Sequence, residues 1–268
     1  MKIAGASLGS RRFLSTGEDE LELSPSELAI KKKALDFAKK NRTRICRRLT
    51  DTSLYAPELE PVSVFMSGSP GAGKTESSKE LVAVLTEDGG HVLRLDPDDL
   101  REEFEDYNGN NSYLFQSAVI TLVERAMDMI FKNNQSFLLD GTLASFHVAD
   151  KNIGRSLKKG RMVLVVFVYQ RPELAWNFVK AREKVEGRRI LPEHFVEQFF
   201  GSQQVIEQLK EKYGSQIQVD LLLKDNDGTT HSHHSDIISL QQYLDPAYTL
   251  EVVREIVGAS RHQEKRDD

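Results

Sequence analysis

Val62-Ser63-Val64-Phe65-Met66-Ser67 followed by Gly68-Ser69-Pro70-Gly71-Ala72-Gly73-Lys74-Thr75 is an apolar strand running into a loop of the form G-x-x-x-x-G-K-[ST], with a helical pattern from about Thr75 to Leu85 behind it. Each part has a physical task. The glycines let backbone N–H groups wrap around phosphate oxygens, Lys74 reaches the β- and γ-phosphates as a point charge, and Thr75 offers its hydroxyl to Mg²⁺. Gly68, Ser69, Pro70, Gly71, Ala72, Gly73, Lys74 and Thr75 are therefore candidate ligands for ATP or GTP. The strand and helix on either side are the context the motif requires.

Downstream, short β-rich runs alternate with longer helical ones. Strands are expected at Val62–Met66, His91–Leu95, Ser136–Leu139, Met162–Tyr169 and Ile217–Leu223. Helices are expected near Thr75–Leu85, Tyr113–Lys132, Pro172–Lys184 and Pro192–Tyr213, with a closing helix over Thr249–Val257. This alternation implies an α/β domain, a parallel sheet with helices on both faces, over residues 61–268. Upstream, Ser24-Pro25-Ser26-Glu27 reads as a capping box with proline at the first helical position. Leu28, Leu35, Ala38, Ile45 and Leu49 then form one stripe of a helix to about Arg48, and Lys31, Lys32, Lys33, Lys39, Lys40, Arg44, Arg47 and Arg48 occupy its other faces. Tyr55–Pro61, with two prolines and no periodicity, reads as a linker, so residues 1–60 are expected to form a small helical N-terminal segment.

Composition narrows the function classes. The chain has 268 residues, 29% of them charged, and no run approaches the roughly 18 apolar residues of a membrane span. Met1-Lys2-Ile3-Ala4-Gly5 lacks the apolar block of a signal peptide. The single cysteine, Cys46, excludes an internal disulfide and fits a reducing, cytoplasmic setting. A net charge of −5 gives no global attraction to nucleic acid or anionic lipid. Residues 1–60 carry 12 Lys and Arg against 9 Asp and Glu, and the rest 24 against 32. The basic helix has no interleaved aromatics or nucleic-acid-reading motif. His231-Ser232-His233-His234 has no metal-ligand spacing and reads as a polar surface loop.

The carboxyl ends of the expected strands carry the other chemistry, since ligands of an open parallel sheet bind there. The second strand runs into Asp96-Pro97-Asp98-Asp99-Leu100-Arg101. Asp98 is a candidate base for an acceptor hydroxyl, while Asp96 also fits an N-cap, with Asp98 and Asp99 complementing a helix dipole. The third strand ends Asp140-Gly141-Thr142, either a carboxylate and hydroxyl at the ligand edge or a turn. Glu124 lies mid-helix, where a solvated face is the simpler reading. Arg182 and Arg189 suit stabilisation of a transferring phosphoryl group, or surface ion pairs with Glu183, Glu186 and Glu193.

Together the phosphate loop, Leu95-Asp96-Pro97-Asp98-Asp99-Leu100-Arg101, Glu124, Leu138-Leu139-Asp140-Gly141-Thr142 and the two arginines ahead of Pro192 resemble the zeta toxins, bacterial kinases of UDP-N-acetylglucosamine, over residues 61–225. The resemblance implies a P-loop kinase-like fold and transfer from ATP, with Mg²⁺, to the sugar 3′-hydroxyl of UDP-N-acetylglucosamine or a related UDP-sugar, which blocks cell-wall synthesis. Lys74, Asp98, Arg182 and Arg189 would be catalytic, Arg188 being an alternative to Arg189. Asp98, Arg101, Glu124, Asp140 and Thr142 would bind the sugar nucleotide. Asp140 stands where the family usually has Glu, and Asn152 where it has a substrate-binding Thr. Zeta toxins resemble half of a pair held inactive by a separate helical antitoxin. This chain is similar to a single-chain type in which residues 1–60 act in cis, docking beside the phosphate loop and hindering ATP entry. Two other functions fit the same residues: a kinase for another small-molecule or polynucleotide hydroxyl, and a nucleotide-dependent binding module, which needs Lys74 and Thr75 but no base.

Overall fold

The apolar run before the phosphate loop forms β1 (Val62–Ser67) at the centre of a six-stranded sheet, in a computed structural model that describes residues 23–264 apart from 88 and 188. The other strands are β2 (Val92–Leu95), β3 (Ser136–Leu139), β4 (Met162–Tyr169), β5 (Gln218–Lys224) and β6 (Thr230–His234). Their order is β2-β3-β1-β4-β5-β6, parallel except for β6, which runs antiparallel to β5. Phe65 pairs with Leu139 on one side and Val165 on the other, so the loop after β1 emerges between the carboxyl ends of β3 and β4.

Period-two alternation decides which side chains meet which helices. Phe65, Phe137, Val165, Phe167 and Leu221 face a core shared with α1 (Pro25–Leu49), α3 (Gln116–Lys132), α4 (Phe146–Lys158) and the end of α6 (Pro192–Tyr213). Val64, Met66, Leu138 and Val166 face the other way, against Leu81, Val82 and Leu85 of α2 (Lys74–Thr86). A third cluster joins Trp176 and Val179 of α5 (Pro172–Glu186), Phe195 and Phe199 of α6, and Val253 and Val257 of α7 (Leu250–Glu264). Helices thus cover both faces. Among the described residues no helix is long and apolar enough to cross a membrane.

The capping box is present at both hydrogen bonds: the Glu27 amide donates to Ser24 Oγ (3.3 Å) and the Ser24 amide to Glu27 Oε2 (2.8 Å). The buried stripe is Ala34, Ala38, Ile45 and Cys46, rotated from the larger residues of the expected one, because small side chains let α1 lie close along α3. The Cys46 thiol, fully buried, donates to the Leu122 carbonyl (3.3 Å). The boundary expected at residue 60 therefore coincides with no break in packing, and residues 1–22 lie outside the described residues.

Two elements differ from the sequence expectations. α4 was not expected, because Asn152, Gly154 and Ser156 weaken its helical pattern, yet Ala149 and Ile153 anchor it. Thr230–His234, expected as a loop, is an edge strand, where one ladder of hydrogen bonds suffices and no apolar alternation is needed. His233 Nε2 lies 2.8 Å from Asp220 Oδ2, and no metal-holding cluster of three or more such groups occurs among the described residues.

Candidate active site

The loop folds as its glycines dictate. Gly68 (φ 136°) and Gly71 (φ 73°) adopt conformations that L side chains rarely take, and a Cβ on either would stand 2.3 Å from the Val168 carbonyl oxygen or 2.1 Å from that of Ala175. Gly68 and Ser69 form the floor, their carbonyls accepting from Lys74 Nζ at 3.0 and 2.7 Å. Pro70 to Thr75 line a cleft of 1430 Å³. α2 starts at Lys74 with no side-chain cap, leaving the positive end of its dipole to the loop.

The same cleft is lined by Asp98, Arg101, Asp140, Thr142, Arg182 and Arg189, which come from three separate stretches of chain. Asp98 starts the 3₁₀ turn Asp99–Glu103, and its backbone amide donates to Asp96 Oδ1 at 2.8 Å. The N-cap position falls on Asp98, without a side-chain cap, rather than on Asp96, which holds the turn ahead of it, while Asp98 lines the cleft. Asp98 is paired with the buried Arg101 and remains 38% exposed. Arg182 and Arg189 are exposed where they line the cleft, Arg189 Nε lying 3.8 Å from Glu183 Oε1. Arg188 lies outside the described residues.

Glu124 lies apart from these residues. It does not line the cleft: its carboxylate is exposed and paired with Lys151 of α4 at 2.6 Å. It sits one turn beyond Ile120, which does line the cleft, so helical pitch carries it past the end. Asn152 is buried under α4 and also outside the lining.

A family model described as Zeta toxin matches residues 46–238. The chain belongs to the zeta toxin family. In fold, this zeta toxin is similar to a protein of the PezAT chromosomal toxin–antitoxin system of Streptococcus pneumoniae, at 17% identity and a TM-score of 0.58, with 91% of this chain and 97% of that one covered. It is also similar to an AvrRxo1-ORF1:-ORF2 structure solved with ATP, at 17% identity and a TM-score of 0.51, covering 79% and 67%. No curated protein matches the chain.

What sequence reasoning missed in this zeta toxin is Arg94. The alternation of β2 turns it toward α2, where Nη2 lies 2.6 Å from Asp140 Oδ2 and 2.5 Å from Asp96 Oδ2, and Nη1 3.2 Å from Asp99 Oδ2. Ser78 Oγ donates to the same Asp140 oxygen at 2.6 Å. The signal was available: a lone arginine between Leu93 and Leu95 must find carboxylates when buried. Asp140 is therefore first a partner of Arg94 and Ser78, at the cleft floor.

Burial pushes the Asp96 carboxyl up to about 6, the Asp98 carboxylate adding to the rise. A carboxyl raised above its ordinary 3.8 stabilises the fold below that value and loses the contribution as pH rises through 6. Asp96→Asn, permanently neutral, is expected to start less stable, having given up the carboxylate that meets Arg94, and to gain on the wild type as pH rises from about 4 to about 7. Denaturant melts of both proteins across that range check it, and a pH-independent difference refutes it.

Proposed function

We propose that the protein transfers the γ-phosphoryl group of ATP to the 3′-hydroxyl of the sugar of UDP-N-acetylglucosamine. The observation that carries the reading is the placement of Asp98 and Lys74 on one cleft: a base with an acceptor side, and a cation with a donor side. At 1430 Å³ the cleft exceeds the about 300–1,000 Å³ of a single-ligand pocket, as a site for two substrates should. Asp98 takes the hydroxyl proton as the acceptor oxygen bonds to the γ-phosphorus and the bond to the β-phosphate oxygen breaks, releasing ADP. Lys74, Arg182 and Arg189 offset the charge on the transferring group. The family membership and the ATP-containing structural neighbour support the donor, and a UDP-sugar acceptor fits a cytoplasmic protein.

Mg²⁺ fits the residues present. The Thr75 hydroxyl lies at the start of α2, and Asp140, hydrogen-bonded to Ser78 one turn later, brings a carboxylate beside it. That sparse donor set suits an ion that keeps several waters and shares phosphate oxygens. Thr75 would hold the ion, with Asp140 behind it, and the ion would neutralise charge on the β- and γ-phosphates.

The proposal includes a regulatory element, the segment of residues 1–22 before α1. Leu23, Leu28 and Lys31 line the cleft, and a segment joined to the chain beside a site acts at an effective concentration of about the millimolar range. We infer that this segment restrains activity in cis. Deletion up to Leu59 would strip α1 from the core; deletion of residues 1–22 alone tests the idea.

Mass spectrometry of reactions with ATP, Mg²⁺ and a panel of UDP-sugars, nucleosides and 5′-hydroxyl oligonucleotides tests the whole reading. A product heavier by about 80 Da on UDP-N-acetylglucosamine alone is expected, formed faster by the 1–22 deletion. Product on another class reassigns the acceptor, and none on any leaves a nucleotide-dependent binding module. Equal rates from the folded deletion variant and the full chain, across a range of ATP concentrations, remove the inhibitory role.

A further inference from the structure

Arg94 commits all three of its side-chain nitrogens to residues around the cleft. It leaves β2 between Leu93 and Leu95 with only 16% of its side chain exposed. Nε donates to Ser78 Oγ (2.9 Å), Nη1 to Asp99 Oδ2 (3.2 Å), and Nη2 to both Asp96 Oδ2 (2.5 Å) and Asp140 Oδ2 (2.6 Å). One largely buried cation among three carboxylates is a poor stabiliser, because the desolvation of the ions offsets most of their attraction. What such a hub fixes is the relative position of the chain segments that supply its partners.

Those segments belong to the two halves of the reaction. Ser78 stands one turn after Thr75 on α2, the helix that the phosphate loop starts, and Asp140 follows β3. Asp96 and Asp99 lie on either side of Asp98. Asp96 is a relay: its Oδ2 accepts from Arg94 while its Oδ1 accepts from the Asp98 backbone amide at 2.8 Å. Asp99, with 69% of its side chain exposed, is gripped from the same guanidinium. The Asp98 carboxylate itself is paired with Arg101. The two arginines thus divide the task, Arg101 orienting the side chain of the base and Arg94 fixing where its backbone stands relative to α2.

We propose that Arg94 is a positioning residue for phosphoryl transfer: by clamping Asp96 and Asp99 to Ser78 and Asp140, it sets the distance from the Asp98 base to the nucleotide held at the start of α2. The inference rests on the kinase reading of the cleft and deepens it. Arg94 does not line the cleft, so it acts through Asp98 and not on a substrate. A misplacement of about 1 Å between reacting groups can cost on the order of 10²-fold in rate, which is the scale on which a clamp of this kind works.

A double-mutant cycle in the full chain tests the role, read as kcat and KM for ATP with UDP-N-acetylglucosamine or whichever acceptor of the panel takes phosphate. Arg94→Gln is expected to lower kcat on the order of 10- to 100-fold while KM for ATP stays within about threefold of wild type, no loop residue being among its partners. The same change is expected to add no further loss to Asp98→Asn. An unchanged kcat overturns the role, and so does an equal loss on both backgrounds, which places the effect on Asp140 or on the fold at large. Asp99→Ala removes one grip at an exposed residue and serves where Arg94→Gln does not fold. Its kcat is expected to fall about three- to tenfold, only while Asp98 is present, and equal loss on both backgrounds again overturns the role. If the wild type transfers phosphate to no acceptor, the kinase reading fails by itself, and hydrogen exchange of the 96–103 peptide decides the clamp. Faster exchange in the variants then supports a turn positioned by Arg94 for another chemistry at Asp98; exchange equal to wild type overturns it.

Discussion

Replacing Lys74 with alanine is expected to lower phosphoryl transfer by on the order of 10³-fold in a protein that still folds. Its ammonium sits over the loop, 3.0 Å from the Gly68 carbonyl and 2.7 Å from that of Ser69, where the loop and the start of α2 converge. The other cations of the cleft lie outside the loop and do not replace it: Arg101 is paired with Asp98, and Arg182 and Arg189 are exposed side chains with their own part in offsetting charge. Lys74→Arg should not rescue, since a planar guanidinium has neither the size nor the point charge that the loop encloses. Turnover within about tenfold of wild type, in a variant with an unchanged melting temperature, would remove the phosphate-loop assignment.

The second large effect falls on Asp98. Asp98→Asn preserves shape but cannot accept the acceptor's proton, and a loss of about 10²- to 10⁴-fold in kcat is expected with ATP binding retained. The pairing of these two readouts is what separates a kinase from a nucleotide-sensing module. A module would keep its nucleotide-dependent function in Asp98→Asn, whereas a kinase keeps only the binding. The same variant leaves Arg101 without its carboxylate partner, so calorimetry with ATP and a thermal melt must accompany the rate.

The strands and the helix starts were legible because each is written locally. The phosphate loop announces itself through spacing, and Ser24 to Glu27 specify a helix start by two reciprocal hydrogen bonds that four residues suffice to encode. The limits of legibility are just as local. α4 hid behind residues of weak helix propensity because it is held by Ala149 and Ile153 against the sheet, a tertiary cause. Asp98 was read from its place after a strand and Arg101 from the resemblance, and both line the cleft, but the partners of Asp140 were not foreseen, since Ser78 is 62 residues away in the chain and Arg94 46. Glu124 shows a limit of another kind. A resemblance placed it at the acceptor by its spacing from Asp140, and only helix pitch reveals that its carboxylate meets Lys151 instead.

The packing of α1 along α3 sets a timetable for synthesis. α1 leaves the ribosome first, yet the residues it must meet come much later: Cys46 and Leu122 are 76 positions apart, and Glu27 and Tyr113 86. At roughly 5–20 residues per second the stripe of Ala34, Ala38 and Ile45 waits several seconds for its cover, and the long sequence separation slows folding further. Asp227 and Gly228 of the cleft wall follow later still. The phosphate loop itself rests on Val168 and Ala175, about a hundred positions after it, so a nascent chain has neither a finished loop nor a finished cleft until β4, α5 and the turn after β5 have followed β1.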